Sequence, residues 1–348
     1  ERDNARAALG WYARAGDDAG LAELCLPLGY FWTVRGHWAE GRGWLEAACA
    51  AARSARPDLV AGLLDCLGRL AFRQADYVRA RALYEEALEL RRGEPGKPAL
   101  GRTLYQLAIT LRNMGEPERA GALHRESLEL SERAGDGQTE AQAANGLGVL
   151  AIDRGDYEEG LSWFERGLNA FRRAGNSRGM AMVLHNMGEV AMRAGDPARA
   201  APLLEASREV SREHGFRELA ADTTRALGYV ALLLGDTASA AERYGEALET
   251  AVALGDRRGM AVAFGGLSFT AATAGDPRRA MTLAGVHAAV CDAMGYVSPR
   301  DEREKTDTML DGIRAQLAPG EADALFEAGR AMSIERAVAW ARSPTPDP

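Results

Sequence analysis

The stretch RGDYEEGLSWFERGL, Arg154–Leu168, sets a Gly-Asp turn before an amphipathic helix that carries two more glycines, Gly160 and Gly167. Glycine is a poor residue inside a helix, so this concentration needs a reason. Relatives of the stretch supply it: MGEPERA at Met114, AGDPARA at Ala194, LGDTASA at Leu234 and AGDPRRA at Ala274, with RGHWAEG at Arg35 and QADYVRA at Gln74. Gly115, Gly155, Gly195, Gly235 and Gly275 stand 40 residues apart, and Gly36, Ala75 and Gly115 continue the beat at 39 and 40. A second series, Gly135, Gly175, Gly215, Gly255 and Gly295, keeps the same period. Two glycine-marked turns per period divide the chain into helix pairs. A fixed period of this length signals a solenoid, in which no unit buries its own apolar face and each must stack on its neighbours.

Within a unit the local rules are legible. In GDP at Gly195 and Gly275, and in GEP at Gly115, the glycine ends one helix in a left-handed turn, the acid caps the next helix, and proline takes its first position. Asp76, Asp156 and Asp236 are read as caps without the proline. Five residues beyond the turn stands Ala or Gly, at Ala80, Ala120, Gly160, Ala200, Ala240 and Ala280, which lets two helices approach. Nine beyond it stand bulky residues such as Tyr84, Phe164 and Tyr244, which fill the groove between helices. In the opening stretch, Gly155 therefore turns the chain, and Gly160 and Gly167 make room for packing.

The pattern resembles the tetratricopeptide repeat. Its small residue, seven before the turn, appears as Gly29, Gly68, Ala108, Gly148, Gly188, Gly228 and Ser268, and its aromatic just after the turn as Trp38, Tyr77 and Tyr157. The resemblance implies an all-α, right-handed superhelical solenoid of antiparallel helix pairs. The family's period is about 34 residues, so about six more lengthen each unit here. The expected organisation is a lead-in helix over 1–20, seven repeats over 21–294, capping helices over 295–342 that start at Ser298-Pro299, Pro319 and Ser333, and a disordered tail over 343–348. The last repeat departs from the family, with Ser268, Ala284 and His287 where Gly, an aromatic and Ala are usual.

Both ends carry a second resemblance. ERDNARAALGWYARAGD and YFWTVRGHWAEGRGWLEAA resemble the segment that follows the nucleotide-binding and winged-helix parts of STAND-type bacterial ATP-binding transcriptional regulators. LFEAGRAMSIERAVAWAR resembles the end of the repeat region in such proteins, where a LuxR-type DNA-binding domain can follow. The resemblance implies a sensor region within a larger regulator. The absence of an initial Met agrees with an excised fragment.

Composition narrows the function classes. The 348 residues are 47% hydrophobic, 26% charged and 7% aromatic, as suits a soluble helical protein, and length alone would divide among two or three globular domains. The unbroken repeat argues instead for one elongated domain. A net charge of −8 offers no general basic surface for phosphates, so direct nucleic-acid binding is not expected. Gly259–Gly275 lacks charge but is too short to span a bilayer, so no membrane role is expected and it reads as a packed helix. Cys25, Cys49, Cys66 and Cys291 are irregularly spaced and read as small buried hydrophobes in a reducing cytoplasm.

Chemical motifs are sparse. GLGVLA at Gly146 fits a dinucleotide pattern but follows no strand, and GEPGK at Gly93 lacks the first glycine and the hydroxyl of a phosphate loop. His37, His124, His185, His214 and His287 never stand four apart as helical metal ligands do, and no Ser or Cys has a visible base nearby in sequence. Glu85-Glu86 and Glu158-Glu159 read as solvated helix faces. No enzyme activity, cofactor or metal is expected. What remains is the inner face, lined in the resembled family by the first helix of each unit. Polar or aromatic residues there that packing does not demand are Asp65, Arg69, Arg102, Tyr105, Arg112, Asn145, His185, Glu189, Asp222, Arg225 and Tyr229. They form the candidate set for a protein, peptide or small-effector ligand, and the arginines favour an anionic or amide-rich one. A free-standing peptide-binding adaptor is the alternative to a regulator's sensor region, with an enzyme third.

Overall fold

The structure, a computed structural model, describes residues 2–93, 98–294 and 300–342, and every regular element among them is an α-helix. Contacts divide the chain into two compact units that meet in sequence at Gly175 and Asn176.

The first unit opens with α1 (Arg2–Ala15) and continues as pairs: α2 (Asp18–Arg35) with α3 (Trp38–Ala55), α4 (Pro57–Arg73) with α5 (Tyr77–Arg92), α6 (Pro98–Asn113) with α7 (Pro117–Ala134), and α8 (Gly137–Asp153) with α9 (Tyr157–Arg173). Turns of a few residues fold each helix back on the one before it, and each helix packs on its sequence neighbours. The first helices of successive pairs also touch, α2 with α4, α4 with α6 and α6 with α8, so they line the inner side of this unit. The second helices are joined on the other side by ion pairs one repeat apart. Arg53 of α3 reaches Glu86 of α5, Arg79 of α5 reaches Glu46 of α3, and Arg166 of α9 reaches Glu132 of α7.

The second unit repeats the plan: α10 (Ser177–Arg193) with α11 (Pro197–Glu213), α12 (Arg217–Leu233) with α13 (Thr237–Leu254), and α14 (Arg257–Thr273) with α15 (Pro277–Met294). Three further helices follow, α16 (Arg300–Arg314), α17 (Glu321–Arg330) and α18 (Ile334–Arg342). Again the first helices touch, α10 with α12 and α12 with α14. Again the second helices are laced reciprocally, Arg243 of α13 to Glu205 of α11 at 2.8 Å and Arg208 of α11 to Glu246 of α13 at 3.4 Å. Helix α17 packs on α15 where Gly285 and Gly329 let the two backbones meet; a Cβ on either would strike the other's carbonyls, at Phe326 and Thr282.

The turn chemistry follows the sequence closely. Gly36, Gly115, Gly135, Gly155, Gly175, Gly195, Gly215, Gly235, Gly255 and Gly275 all adopt φ between 65° and 83°, while Gly295 lies outside the described residues. Ala75 takes the same left-handed turn at φ 59° despite its Cβ. Asp76, Asp156, Asp196, Asp236 and Asp276 each accept the amide three residues on, at 2.9–3.1 Å. Glu116 does not cap. Its extra methylene carries the carboxylate past the amide, and it pairs with Arg81 at 3.2 Å and with Arg119. Gly160 and Gly167 face α8: a Cβ on Gly160 would stand 2.6 Å from Ile152, and one on Gly167 would stand 3.2 Å from the Ala141 carbonyl. Ser333 caps α18 by accepting the Arg336 amide at 3.3 Å. Ser298-Pro299, the GEPGK loop beyond Gly93 and the tail from Ser343 lie outside the described residues.

Large and small residues interlock as the spacing predicts. Phe164 rests on Gly148 and Tyr84 on Gly68, both aromatics almost fully buried. The same place holds His124 in α7, Leu204 in α11 and Tyr244 in α13. Twelve beyond the turn, the second helix meets the backbone of the first helix of its own pair. Ser127 donates to the Gly101 carbonyl and Ser207 to the Ala181 carbonyl, both at 2.7 Å. His287 shares a 2.8 Å hydrogen bond with the Ala261 carbonyl through Nδ1. In the departing last repeat, Ser268 uses its hydroxyl where glycine is usual, donating to the Ala280 carbonyl at 2.7 Å.

Candidate partner-binding site

Three residues before the small residue of each pair, the first helices carry Asp65, Tyr105 and Asn145 in one unit and His185, Arg225 and Gly265 in the other, all half-buried. Period-40 spacing thus places one different chemical group per repeat at one equivalent point of the inner face.

In the first unit Asp65 and Tyr105 are packed or paired with neighbours. Asp65 is paired with Arg91 of α5 and accepts the Thr103 hydroxyl of α6 at 3.1 Å. Burial pushes its carboxyl above the usual range against the pull of Arg91. Arg69 donates to the Cys66 sulfur at 3.0 Å. Tyr105 lies beside the buried His124 ring with centroids 5.7 Å apart, and burial raises its phenol to about 12. His124, deprived of water and facing the positive charge of Arg112, has its pKa lowered to about 4. Arg112 grips Asp153 of α8 with two donors at 2.6 and 3.1 Å. Asn145 buries its Oδ1 without a hydrogen-bond partner. Arg102 is exposed on α6.

In the second unit the charged partners stand on the same helix, and His185 also reaches across to α12. His185 shares a 3.0 Å hydrogen bond with Thr223 through Nδ1, and its Nε2 lies 3.5 Å from Glu189, one turn along. Hydrogen bonding from His185 holds the Glu189 carboxyl below its usual range. Arg225 pairs with Asp222 on its own helix, and its Nη1 is buried without a partner. Tyr229 stands 47% exposed, a large aromatic left open to water. His185, Glu189, Asp222, Arg225 and Tyr229 together line one open cleft of about 850 Å³ between α10, α12 and α14. The cleft also takes in Glu218, Arg258 and Val262, which the sequence reading passes over. Their register was available: Glu218 and Arg258 stand ten before Gly228 and Ser268, one turn ahead of Asp222 and Val262.

The four cysteines are free and buried, and burial raises Cys25 to about 12, far from a reactive thiolate. Cys291 has a base after all: His287, one helical turn back, lies 3.7 Å from its sulfur through Nε2, yet burial raises this thiol too. Glu85, Glu86 and Glu159 are more than solvated acids, since they pair with Arg81 at 2.9 Å, with Arg53 and with Arg154 at 2.7 Å respectively. Gly146 and Gly148 lie within helix α8 against the His124 and Phe164 rings, a packing role. Among the described residues no cluster of metal-ligating side chains is found, and no helix is long and apolar enough to cross a membrane.

The family model of the tetratricopeptide repeat matches residues 59–133, 139–213 and 179–251, more than half of the chain. The chain belongs to the tetratricopeptide repeat family. No curated protein sequence matches it. Among solved structures, this tetratricopeptide protein is similar to the apo form of RapI, with a TM-score of 0.61 at 12% identity over 92% of the chain and 98% of RapI. It is similar to a Rap protein complexed with competence and sporulation factor, with a TM-score of 0.56 at 15% identity over 98% of the chain and 94% of that protein. It is also similar to a STAND protein with a tetratricopeptide repeat sensor from Pyrococcus horikoshii, with a TM-score of 0.59 at 14% identity over 88% of the chain. The chain spans 49% of that STAND protein. At these identities the likeness establishes the shared helical-repeat fold.

Proposed function

We propose that this chain is a non-catalytic sensor region of a larger regulatory protein and that it docks a partner segment in the cleft of α10, α12 and α14. The observation that carries the reading is Tyr229. An aromatic 47% exposed at the inner face, beside the apolar Val262 and half-exposed carboxylates, is side-chain surface that packing does not use. A volume of about 850 Å³ accommodates several residues of an extended peptide. The same fold is named as a sensor in the P. horikoshii STAND protein and is found in complex with a factor in the Rap structure, which supports the regulatory setting. The sequence resemblance at both ends points to an ATP-binding regulator as the parent, acting in the cytoplasm. The candidate residues of the first unit serve its architecture under this reading, apart from Arg102, which is open to solvent.

Peptide display tests it. Random peptides selected on the whole chain should protect Tyr229 from oxidative footprinting and should lose binding to Val262→Asp. Peptides that bind wild type and Val262→Asp alike would reject the cleft.

A further inference from the structure

Resting on that reading, we propose that the cleft recognises a cationic segment of a partner protein, one in which lysine or arginine alternates with a bulky apolar residue. This reverses the anionic ligand that the arginines suggest in the sequence.

Charge favours a cation. The cleft is lined by four carboxylates, Glu189, Glu218, Asp222 and Asp256, against two arginines, Arg225 and Arg258. Arg225 presents little of its charge, because its side chain is only 16% exposed and is paired with Asp222. The carboxylates face outward: Glu189 and Asp222 are each 47% exposed, and Glu218 is exposed. Glu189 is kept ionised by His185 and by the charge of Arg193. Asp256, half-buried, caps α14, one of its oxygens accepting the Gly259 amide at 3.0 Å. A phosphate or an acidic peptide would meet net repulsion here, and the chain's net charge of −8 steers cations toward the protein from a distance.

Acidic and apolar side chains also alternate across the helices. One row of equivalent positions holds Met182, Asp222 and Val262, and the next holds Glu189, Tyr229 and Phe269. Met182, Tyr229, Val262 and Phe269 are each 43–48% exposed. Each row therefore shows one carboxylate beside two open apolar side chains. A basic side chain can reach the acid while its apolar neighbour covers the adjoining hydrophobic surface, and the ring of Tyr229 adds a face for a cation. An isolated small cation would leave those four apolar side chains in water.

Three end-blocked synthetic peptides of equal length test the proposal by fluorescence anisotropy on the whole chain. One repeats Lys-Leu-Gly, one replaces lysine by glutamate, and one replaces leucine by serine. The Lys-Leu peptide should bind at least about 10-fold more tightly than either other peptide, and added salt should weaken it. Glu189→Gln with Glu218→Gln should cost about 10-fold in affinity at an unchanged melting temperature, while Glu213→Gln, an exposed acid of α11 outside the cleft, should cost nothing. Tighter binding of the glutamate peptide, still abolished by Tyr229→Ala, would overturn the charge assignment and leave the docking site standing. The charge assignment falls equally if none of the three binds while displayed peptides that require Val262 do. Binding of the Lys-Leu peptide that ignores every cleft variant would overturn the proposal as well.

Discussion

The inner faces of the two units are built from the same repeat and spend their polar residues differently. In the first unit two of them act between helices: Asp65 joins α4 to α5 and α6, and Arg112 joins α6 to α8. In the second unit the carboxylates are held within a helix, Asp222 by Arg225 three residues away and Glu189 by His185 four away, while His185 alone also reaches the next first helix, through Thr223. An interhelical pair fixes the spacing of repeats. A pair within one helix leaves its outer oxygens facing the cleft, and the spacing there rests on apolar packing and the His185–Thr223 hydrogen bond. The repeat thus supplies a scaffold position, and the residue placed there decides whether it becomes a brace or part of a docking surface.

The sharpest way to break this comparison is to remove a brace. Arg91→Ala leaves Asp65 buried without its principal counter-charge and should destabilise the chain by about 3–5 kcal/mol. The loss should deepen as the pH rises, because a carboxyl whose pKa is raised favours the folded state only while protonated. Chemical denaturation at two pH values measures both, and an unchanged midpoint would show that the pair braces nothing.

His124 gives the second test. Its pKa is about 4 when folded against 6.5 in the unfolded chain, so between these values the unfolded state binds the extra proton. Stability should be complete above about pH 6.5, fall as the pH drops toward 4 by about 3 kcal/mol, and level off below. His124→Leu, which copies Leu204 of the second unit, should abolish that slope. Hydrogen exchange should show the acid-induced opening around α6, α7 and α8, with α12 and α13 unaffected.

Smaller effects sharpen the contrast. Gly160→Leu should strike Ile152 and the α8 backbone and cost roughly 1–3 kcal/mol. Gly245→Leu, where a side chain would meet open space, should cost nothing and gain up to about 1 kcal/mol from leucine's better helix propensity, which thermal melting of the two variants compares. Arg112→Ala removes a pair that is 37% and 44% exposed, so its loss should stay below about 1 kcal/mol. Its affinity for the Lys-Leu peptide should be unchanged, whereas Tyr229→Ala should lose affinity at an unchanged melting temperature.

What the sequence made legible was local and periodic. Turn glycines, aspartate caps and the match of small to large residues each depend on a few neighbouring positions, and they recur often enough to be read by subtraction. Glu116 escaped because a cap depends on one methylene that the pattern Gly-acid-Pro ignores. Arg91 escaped because its partner stands 26 residues away and meets it only through the rotation of two helices. The candidate set of the inner face was found by register, so its members do lie on the first helices. Which of them were already engaged could not be read from register: Arg112 pairs with Asp153 and Arg225 with Asp222, while Arg102 stays open to solvent. Glu218 and Arg258 were passed over because they stand in the first turns of their helices, ahead of the positions taken as the groove.

The ion pairs that join helices in the first unit close loops of only 26 to 41 residues, from Arg91 with Asp65 to Arg112 with Asp153. Closing such loops costs little chain entropy, and each additional doubling of loop length would add about 0.6 kcal/mol. For a chain emerging from a ribosome, each brace can therefore latch once about one further repeat has been made, long before synthesis ends. The growing protein presents a folded edge and one unfinished repeat at a time, so little apolar surface is ever held waiting for a distant partner.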